Sequence, residues 1–393
     1  MNENRAFVVL LLGNFLLLLA QIQSLSISFF EAQLLYGVPS AVQSYITFFL
    51  DFFGSNDYIL RLPMIVLHLT SMALLYAISS YYITRPYDRI WILLVYALLP
   101  GVMSAALLVN GAGFKIVLLF LFAYIYLKNK NYSLLVLPLF LLLDLTVIYF
   151  YLTIVIFEII RKNYVYATSV GILFFGSIWY FHSGVGGIPE GHFLDTLAIY
   201  TAIFSPIVFM YLFYVLYRRF IFKQRDILWA ISFSMFIFSL ILSFRQKVNV
   251  EEFAPYLMLS IPLAAQTFLH TYRVRLPEFR RRYRILFYSA FTLLIVNFLA
   301  VLGSPIFYAW MDTPQKHFSY PLHVAKELAR ELKKEGFECV KSDFKMQQRL
   351  EFYGIQECQD NILSEELTKK ATKVTIRYIN VPIYTVYVTK VSK

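Results

Sequence analysis

Eight ionisable side chains in this sequence stand out for chemistry because each lies beside or inside apolar sequence. Glu31 sits in "SISFFEAQLLYG", flanked by aromatic residues just past a long hydrophobic run. A carboxylate so placed can orient a hydroxyl or take its proton. Arg61 in "DYILRLPMIV" and Lys115 in "NGAGFKIV" are cations of the kind that hold a phosphate and stabilise it as a leaving group. The small residues before Lys115 let a ligand approach the backbone, and a helix beginning there favours an anion. Asp144 lies within "LLLDLT", an apolar setting in which an ionisable group is a functional candidate. Arg245 and Lys247, in "FRQKVNVEEFAPY" with Glu251 and Glu252, offer further cations for a phosphate or pyrophosphate headgroup. His192 and Asp195 close the glycine-rich stretch "HSGVGGIPEGHFLDT", which also carries His182 and Glu190 and suits a flexible cover over a site.

Each candidate has an ordinary alternative. Glu31 reads equally as a solvated loop carboxylate, and Arg61 as a residue that snorkels or pairs with a loop acid. Asp51 and Asp57 share the stretch with Glu31, and Asp57 also fits a helix cap ahead of the run that starts at Tyr58. Asp144 reaches water if it lies at the tip of a hairpin, and Asp195 suits the N-terminus of the helix that follows it. His182 and His192 lack the i, i+4 spacing of a strong zinc motif, so no metal is expected, nor any other cofactor.

Membrane helices must position these groups. Of 393 residues, 59% are hydrophobic and 15% charged, with a mean hydropathy of +0.62. A soluble chain of this length needs more polar surface to cover its core. Long apolar runs between short charged loops define an all-α polytopic membrane protein, since helices satisfy their own backbone polar groups within lipid. Spans are expected near 6–25, 58–83, 90–109, 114–127, 164–181, 197–217, 227–244, 252–271 and 285–304. Residues 131–160 are flanked by basic pairs at both ends. A hairpin of two short helices turning at Asp144 keeps both ends on one side, for about eleven membrane segments in all. The run from Ala6 to Leu25 lacks a small-residue cleavage site and reads as a retained first helix.

The net charge of +11 does not signal a nucleic-acid partner. Basic residues cluster in short loops, at Arg85/Arg89, Lys128/Lys130, Arg161/Lys162, Arg218 to Arg225 and Arg273 to Arg284. This is the positive-inside pattern of cytoplasmic loops near anionic lipid. It puts the N-terminus in the cytoplasm and residues 26–57, 182–196, 245–251 and the tail outside. In a bacterium, that outside is the periplasmic face of the inner membrane. Residues 1–304 then form the membrane domain and 305–393 a small α/β domain, in which "HVAKELARELKKEGF" reads as a helix and "CVKSDF", "KVTIRYI" and "IYTVYVTKV" as strands. Cys339 and Cys358 both fall in this tail; an oxidising compartment permits a disulfide, and two reduced buried thiols fit as well.

The stretch "DYILRLPMIVLHLTSMALLYAISS" resembles the protein O-mannosyltransferase and aminoarabinose-transferase superfamily, in which an acidic first outer loop precedes an Arg-Leu-Pro start to the second helix. "ALLPGVMSAALLVNGAGFKIVLLFLFAYIYL" is similar to that family's short third and fourth helices, and "LEFYG" at 350–354 to phrases of its small outer domain. The resemblance implies a C-type glycosyltransferase fold and transfer of a sugar from a polyprenyl-phosphate carrier to a lipid, glycan or protein acceptor at the outer face. It implies Glu31 as the acceptor-activating group, at the second position of the family's Asp-Glu pair, with Phe30 at the first. Arg61, Lys115, Arg245 and Lys247 are expected at the carrier phosphate, with Asp144, His192 and Asp195 as further substrate contacts. On this reading Glu31→Gln abolishes transfer while the protein stays folded.

The chain departs from the family where Phe30 replaces the first acid. It departs again at "NGAGFK" and "LLLDLT", where relatives carry an acid and a Thr-Lys pair respectively. These departures define an alternative, a catalytically inactive transferase-like scaffold or partner of another cell-envelope enzyme. A transporter is a third reading, for which the sequence offers no pair of broken helices in corresponding halves.

Overall fold

In a computed structural model of the chain, residues 3–181, 191–304, 308, 319–366, 371–378 and 381–390 are described. The first helix, α1 (Glu3–Ile22), is followed by two short helices, α2 (Phe29–Tyr36) and α3 (Ala41–Phe53), and then by α4 (Asp57–Tyr82). Next come α5 (Pro86–Ala97), α6 (Pro100–Leu107) and α7 (Gly111–Lys128). A pair of 3₁₀ segments (Lys130–Leu135 and Leu137–Leu142) leads to α8 (Val147–Ile160) and α9 (Tyr164–Phe181). The helical region continues through α10 (Phe193–Phe204), α11 (Pro206–Ile221), α12 (Ile227–Ser243), α13 (Val250–Leu257), α14 (Ile261–Val274) and α15 (Pro277–Leu302). The tail holds α16 (Ala325–Lys334), α17 (Phe344–Phe352), β1 (Asn361–Ser364), β2 (Thr372–Tyr378) and β3 (Val381–Lys390).

Each of the expected membrane segments is helical, but they are not equal. Among the described residues five helices, α1, α4, α7, α9 and α15, are long and apolar enough to cross a membrane; counting two bent pairs as single spans gives seven. α5 and α6 meet at 69°, and α10 and α11 at 107°. Both breaks fall where a proline starts the second helix: Pro100 and Pro206 lack an N–H and push the preceding residue out of helical geometry. The turn between the two arms of 131–160 falls at Asp144 as expected. Its first arm, which holds Pro138, is wound as 3₁₀ helix rather than α.

Residues 26–57, read from sequence as a loop, contain two helices. The reason was written in Ser28-x-x-Glu31 and Ser40-x-x-Gln43, both of which form reciprocal capping boxes. α3 ends at Gly54, whose φ of +86° lets its N–H turn back to Leu50 O at 2.8 Å.

The chain divides into two compact units, residues 1–15, 66–106 and 111–298 in one, and 16–65, 107–110 and 299–393 in the other. The first is an aromatic-rich helical bundle, with Phe120, Phe122, Phe140, Phe150, Tyr200 and Phe204 fully buried. Phe140 and Phe150 lie 4.7 Å apart, and Phe122 meets Phe150 edge-on at 5.6 Å. In lipid such contacts act through close packing rather than exclusion of water. At Gly101 the approach is close enough that a Cβ would stand 2.4 Å from Ile203 Cγ2.

The second unit contains the α/β tail. α16 buries Ala325, Leu328, Ala329 and Leu332, the i, i+3, i+4, i+7 face of one helix. They share a core with Val374, Ile376, Val386 and Val388 of a three-stranded antiparallel sheet ordered β1-β3-β2. "CVKSDF" makes only isolated bridges, Cys339 to Gln356 and Lys341 to Ile362, while the strand that joins β2 and β3 in the sheet is β1 instead. Cys339 and Cys358 are joined as a disulfide that encloses α17.

Candidate active site

The second unit gathers Glu31, Arg61 and Asp57 in one buried network. Glu31 is 1% exposed and closes the first turn of α2: its Oε2 accepts from Ser28 N at 2.8 Å while its own N–H donates to Ser28 Oγ. Oε1 accepts from Val109 N at 3.0 Å. The Arg61 guanidinium, 0% exposed, donates to both oxygens, at 3.2 and 3.5 Å. It also donates to the carbonyls of Ser26 (2.8 Å) and Leu25 (3.3 Å), and its Nη1 lies 3.9 Å from Asp57 Oδ1. Each Glu31 oxygen thus already has two donors, which fills a carboxylate's usual capacity. Phe30, by contrast, is 79% exposed.

Asp57 does not cap α4. Asn56 does, accepting from Tyr58 N and Ile59 N, because its side chain sits one residue earlier, where it reaches the free amides of the first turn. Asp57 instead accepts from Tyr353 Oη at 2.7 Å and pairs with Lys326 Nζ at 2.9 Å, both from the tail. Asp51 lies exposed on α3.

The tail also grips the backbone that follows α1. Tyr353 Oη accepts from Ile27 N at 2.9 Å, and Arg349 Nε, one helical turn earlier on α17, donates to Ile27 O at 3.0 Å. Ser26 N donates to Leu322 O, His323 Nδ1 to Ser24 O and Lys326 Nζ to Gln23 O. With Arg61 on the carbonyls of Leu25 and Ser26, the backbone of residues 24–28 is matched group by group, as removal from water demands, while Ser26 Oγ is buried without a hydrogen-bond partner among the described residues. Burial lowers the Arg349 guanidinium from its ordinary range and, with the Asp57 charge second, raises the Tyr353 phenol well above its ordinary value.

The first unit gathers Lys115, Asp144, Thr146, Tyr256 and Glu252. Lys115, on the second turn of α7, is 1% exposed, and its Nζ forms an ion pair with Asp144. The same ammonium donates to Thr146 Oγ1 at 3.0 Å and Glu252 O at 2.8 Å, and lies 5.3 Å from the Tyr256 ring centroid. Asp144 accepts from Thr146 N at 3.0 Å, and Tyr256 Oη is 3.2 Å from Thr146 Oγ1. The Asp144 side chain remains 27% exposed, so the wholly buried cation has a partner that still meets the outside.

Other sequence candidates stand apart. His192 precedes α10, with Nδ1 3.2 Å from Asp195 Oδ2; Asp195 lies within the first turn of the helix rather than capping it. Arg245 and Lys247 are exposed and form no ion pair among the described residues. His182 and Glu190 lie outside the described residues. Sequence reasoning missed Tyr353, Arg349 and Lys326, which touch a segment some three hundred positions away, and Thr146 and Tyr256, which complete the Lys115 cluster. The one signal present was the i, i+4 spacing of Arg349 and Tyr353 on a short helix.

The architecture is one of irregular and bent membrane helices with a small α/β tail. It is similar to the crystal structure of ArnT from Cupriavidus metallidurans in the apo state, with a TM-score of 0.56 and 12% identity over 90% of this chain and 75% of that one. No protein-family model matches the sequence, and no curated protein does.

Proposed function

We propose that the chain is a membrane glycosyltransferase that moves a sugar from a polyprenyl-phosphate carrier to a lipid, glycan or protein acceptor at the outer face of a bacterial inner membrane. The observation that carries this reading is the Lys115–Asp144 pair: a buried ammonium backed by Thr146 and Tyr256, with a carboxylate that is partly open. The likeness of fold supports the same reading. In an inverting transfer the acceptor hydroxyl gives its proton to Asp144, and its oxygen bonds to the anomeric carbon. The bond from that carbon to the phosphate oxygen breaks. The polyprenyl phosphate leaves with one more negative charge, which Lys115 meets. Arg245 and Lys247 are exposed cations suited to the carrier headgroup before it engages. His192 and Asp195, paired at the start of α10, are further contacts for the substrate. Glu31, whose oxygens are fully engaged, takes a positioning role here: with Arg61 it holds the segment after α1 and the amide of Val109.

The reading is tested by turnover with a panel of polyprenyl-phosphate sugars, comparing the parent with Asp144→Asn and Lys115→Met. The expected result is transfer by the parent and a loss of about a hundredfold or more in each variant. Undiminished turnover in both would remove this pair from the chemistry.

A second reading, a transferase-like scaffold without catalysis, is favoured by one specific observation. An exposed Phe30 stands where related enzymes carry their first acid. Absence of turnover across the whole panel, with the folded protein still binding another envelope protein, would decide for it.

A further inference from the structure

We infer that Tyr353 and Lys326, both in the tail, are positioning residues for Val109 and the segment 107–110 around it. The relevance to transfer rests on the function proposed above; the positioning itself does not. The path is continuous. Tyr353 Oη donates to Asp57 Oδ1 at 2.7 Å, and Lys326 Nζ pairs with Asp57 Oδ2 at 2.9 Å, so each tail residue holds one carboxylate oxygen. Asp57 faces Arg61, one helical turn on in α4, at 3.9 Å. Arg61 holds Glu31, and Glu31 Oε1 accepts the amide proton of Val109 at 3.0 Å. Val109 stands two residues before α7 begins at Gly111 and six before Lys115.

Every link from the tail to Glu31 includes a charged partner, and Glu31, Asp57 and Arg61 are buried. Hydrogen bonds to charged groups are stronger than neutral ones, and buried networks of this kind respond as a unit when one member is removed. The two ends of the path are also geometrically stiff. Tyr353 is fixed by a second bond, from Ile27 N, so its oxygen cannot follow Asp57 if that carboxylate moves. Glu31 is held jointly by Arg61, Val109 and its reciprocal cap with Ser28, so loss of order at Arg61 loosens the carboxylate that accepts the Val109 amide. The tail therefore sets where Val109 and its neighbours in 107–110 lie, although no tail residue is needed as a chemical group.

The test uses the full chain in lipid nanodiscs, with Tyr353→Phe, Lys326→Met, Lys326→Arg and, as a control on the same helix, Arg330→Met. Amide hydrogen exchange is followed over residues 24–28, 107–110 and 325–334, and binding of undecaprenyl phosphate is titrated in parallel. Tyr353→Phe and Lys326→Met are expected to speed exchange at 107–110 about tenfold, the effect of losing one charge-assisted hydrogen bond. Exchange at 325–334 should stay unchanged, Lys326→Arg should restore the parent pattern, and Arg330→Met should have no effect. If 24–28 loosens while 107–110 does not, the influence of the tail stops at the first segment and the inference is overturned. Rescue failing in Lys326→Arg overturns the assignment of Lys326. Faster exchange at 107–110 in a protein whose parent binds no undecaprenyl phosphate upholds the positioning and sinks the transferase reading, so the two fail separately.

Discussion

Glu31 and Asp144 are both carboxylates beside a cation, and their surroundings give them different work. Glu31 spends its oxygens on Ser28, Val109 and Arg61, whereas Asp144 pairs with Lys115 and stays partly open. Glu31→Gln should therefore act first on stability. It strips a fully buried Arg61 of its nearest counter-charge, a loss of about 3 kcal/mol, seen as a lowered thermal midpoint in detergent. A Glu31→Gln protein that melts like the parent but transfers nothing would restore the glutamate to the chemistry. Arg61→Lys should rescue little, because one ammonium cannot reach both Glu31 and the carbonyls of Leu25 and Ser26 that the guanidinium fork holds. The Tyr353 phenol titrates above its ordinary value of 10.0, through burial first and Asp57 second. The folded state thus holds that proton more tightly. Its stabilisation is complete below the ordinary value and is lost as pH rises through the raised one. Comparing unfolding of the parent and Tyr353→Phe from pH 8 to 11 should show their difference shrinking only at the alkaline end. At this scale the sequence was informative one residue at a time: Lys115 and Asp144 were each visible as charges in apolar surroundings. Their pairing was not, because it depends on a hairpin turn that brings residue 144 to residue 115.

At the scale of elements, local chemistry decided more than apolar run length. Ser28 and Ser40 nucleate α2 and α3 inside a stretch that looks like a loop, since its hydrophobic pattern is too short to announce a span. Ser28→Ala should cost about 1 kcal/mol as the cap is lost; because Glu31 is the other half of that cap, faster exchange should be confined to α2 and Val109. A span reading by hydropathy alone treats 90–109 and 197–217 as continuous, yet Pro100 and Pro206 break both. The close contact of Gly101 with Ile203 makes a second prediction. Gly101→Val places its Cβ 2.4 Å from Ile203 Cγ2, so it should destabilise the bundle by about 1–3 kcal/mol. An unchanged melting profile would show that this contact yields without resistance.

At the scale of the molecule, the order of the apolar helical segments and the presence of an α/β tail were legible, because long apolar runs and the polar composition of the tail follow from the sequence. The expected eleven or so membrane segments compare with five to seven helices long and apolar enough to span among the described residues. How the tail is used was not legible, since Arg349, Tyr353 and Lys326 each bond to backbone of residues 23–27, which leaves no mark on a sequence. Asp57, which Tyr353 and Lys326 also hold, lies some 270 to 300 positions away. The Cys339–Cys358 disulfide encloses α17, which bears Arg349 and ends at Tyr353. Replacing both cysteines by serine should destabilise the tail by about 3 kcal/mol, and the released α17 should lower protection at Ile27 before the helical bundle is affected. Equal protection at Ile27 with and without the bridge would mean that the core around Leu350 alone fixes α17.

The distance along the chain between Ile27 and Tyr353 gives this arrangement a place in time. They are 326 residues apart, so at ribosomal rates about 16 to 65 s separate their synthesis. For that interval the stretch leaving α1 carries carbonyls and amides whose partners have not yet been made. A chain whose tail has not yet been made is thus distinguishable at residues 23–28, where a protease or chaperone would find bare backbone. Once the tail folds and its bridge forms, the same residues close over, and a segment made well before the tail matures only with it.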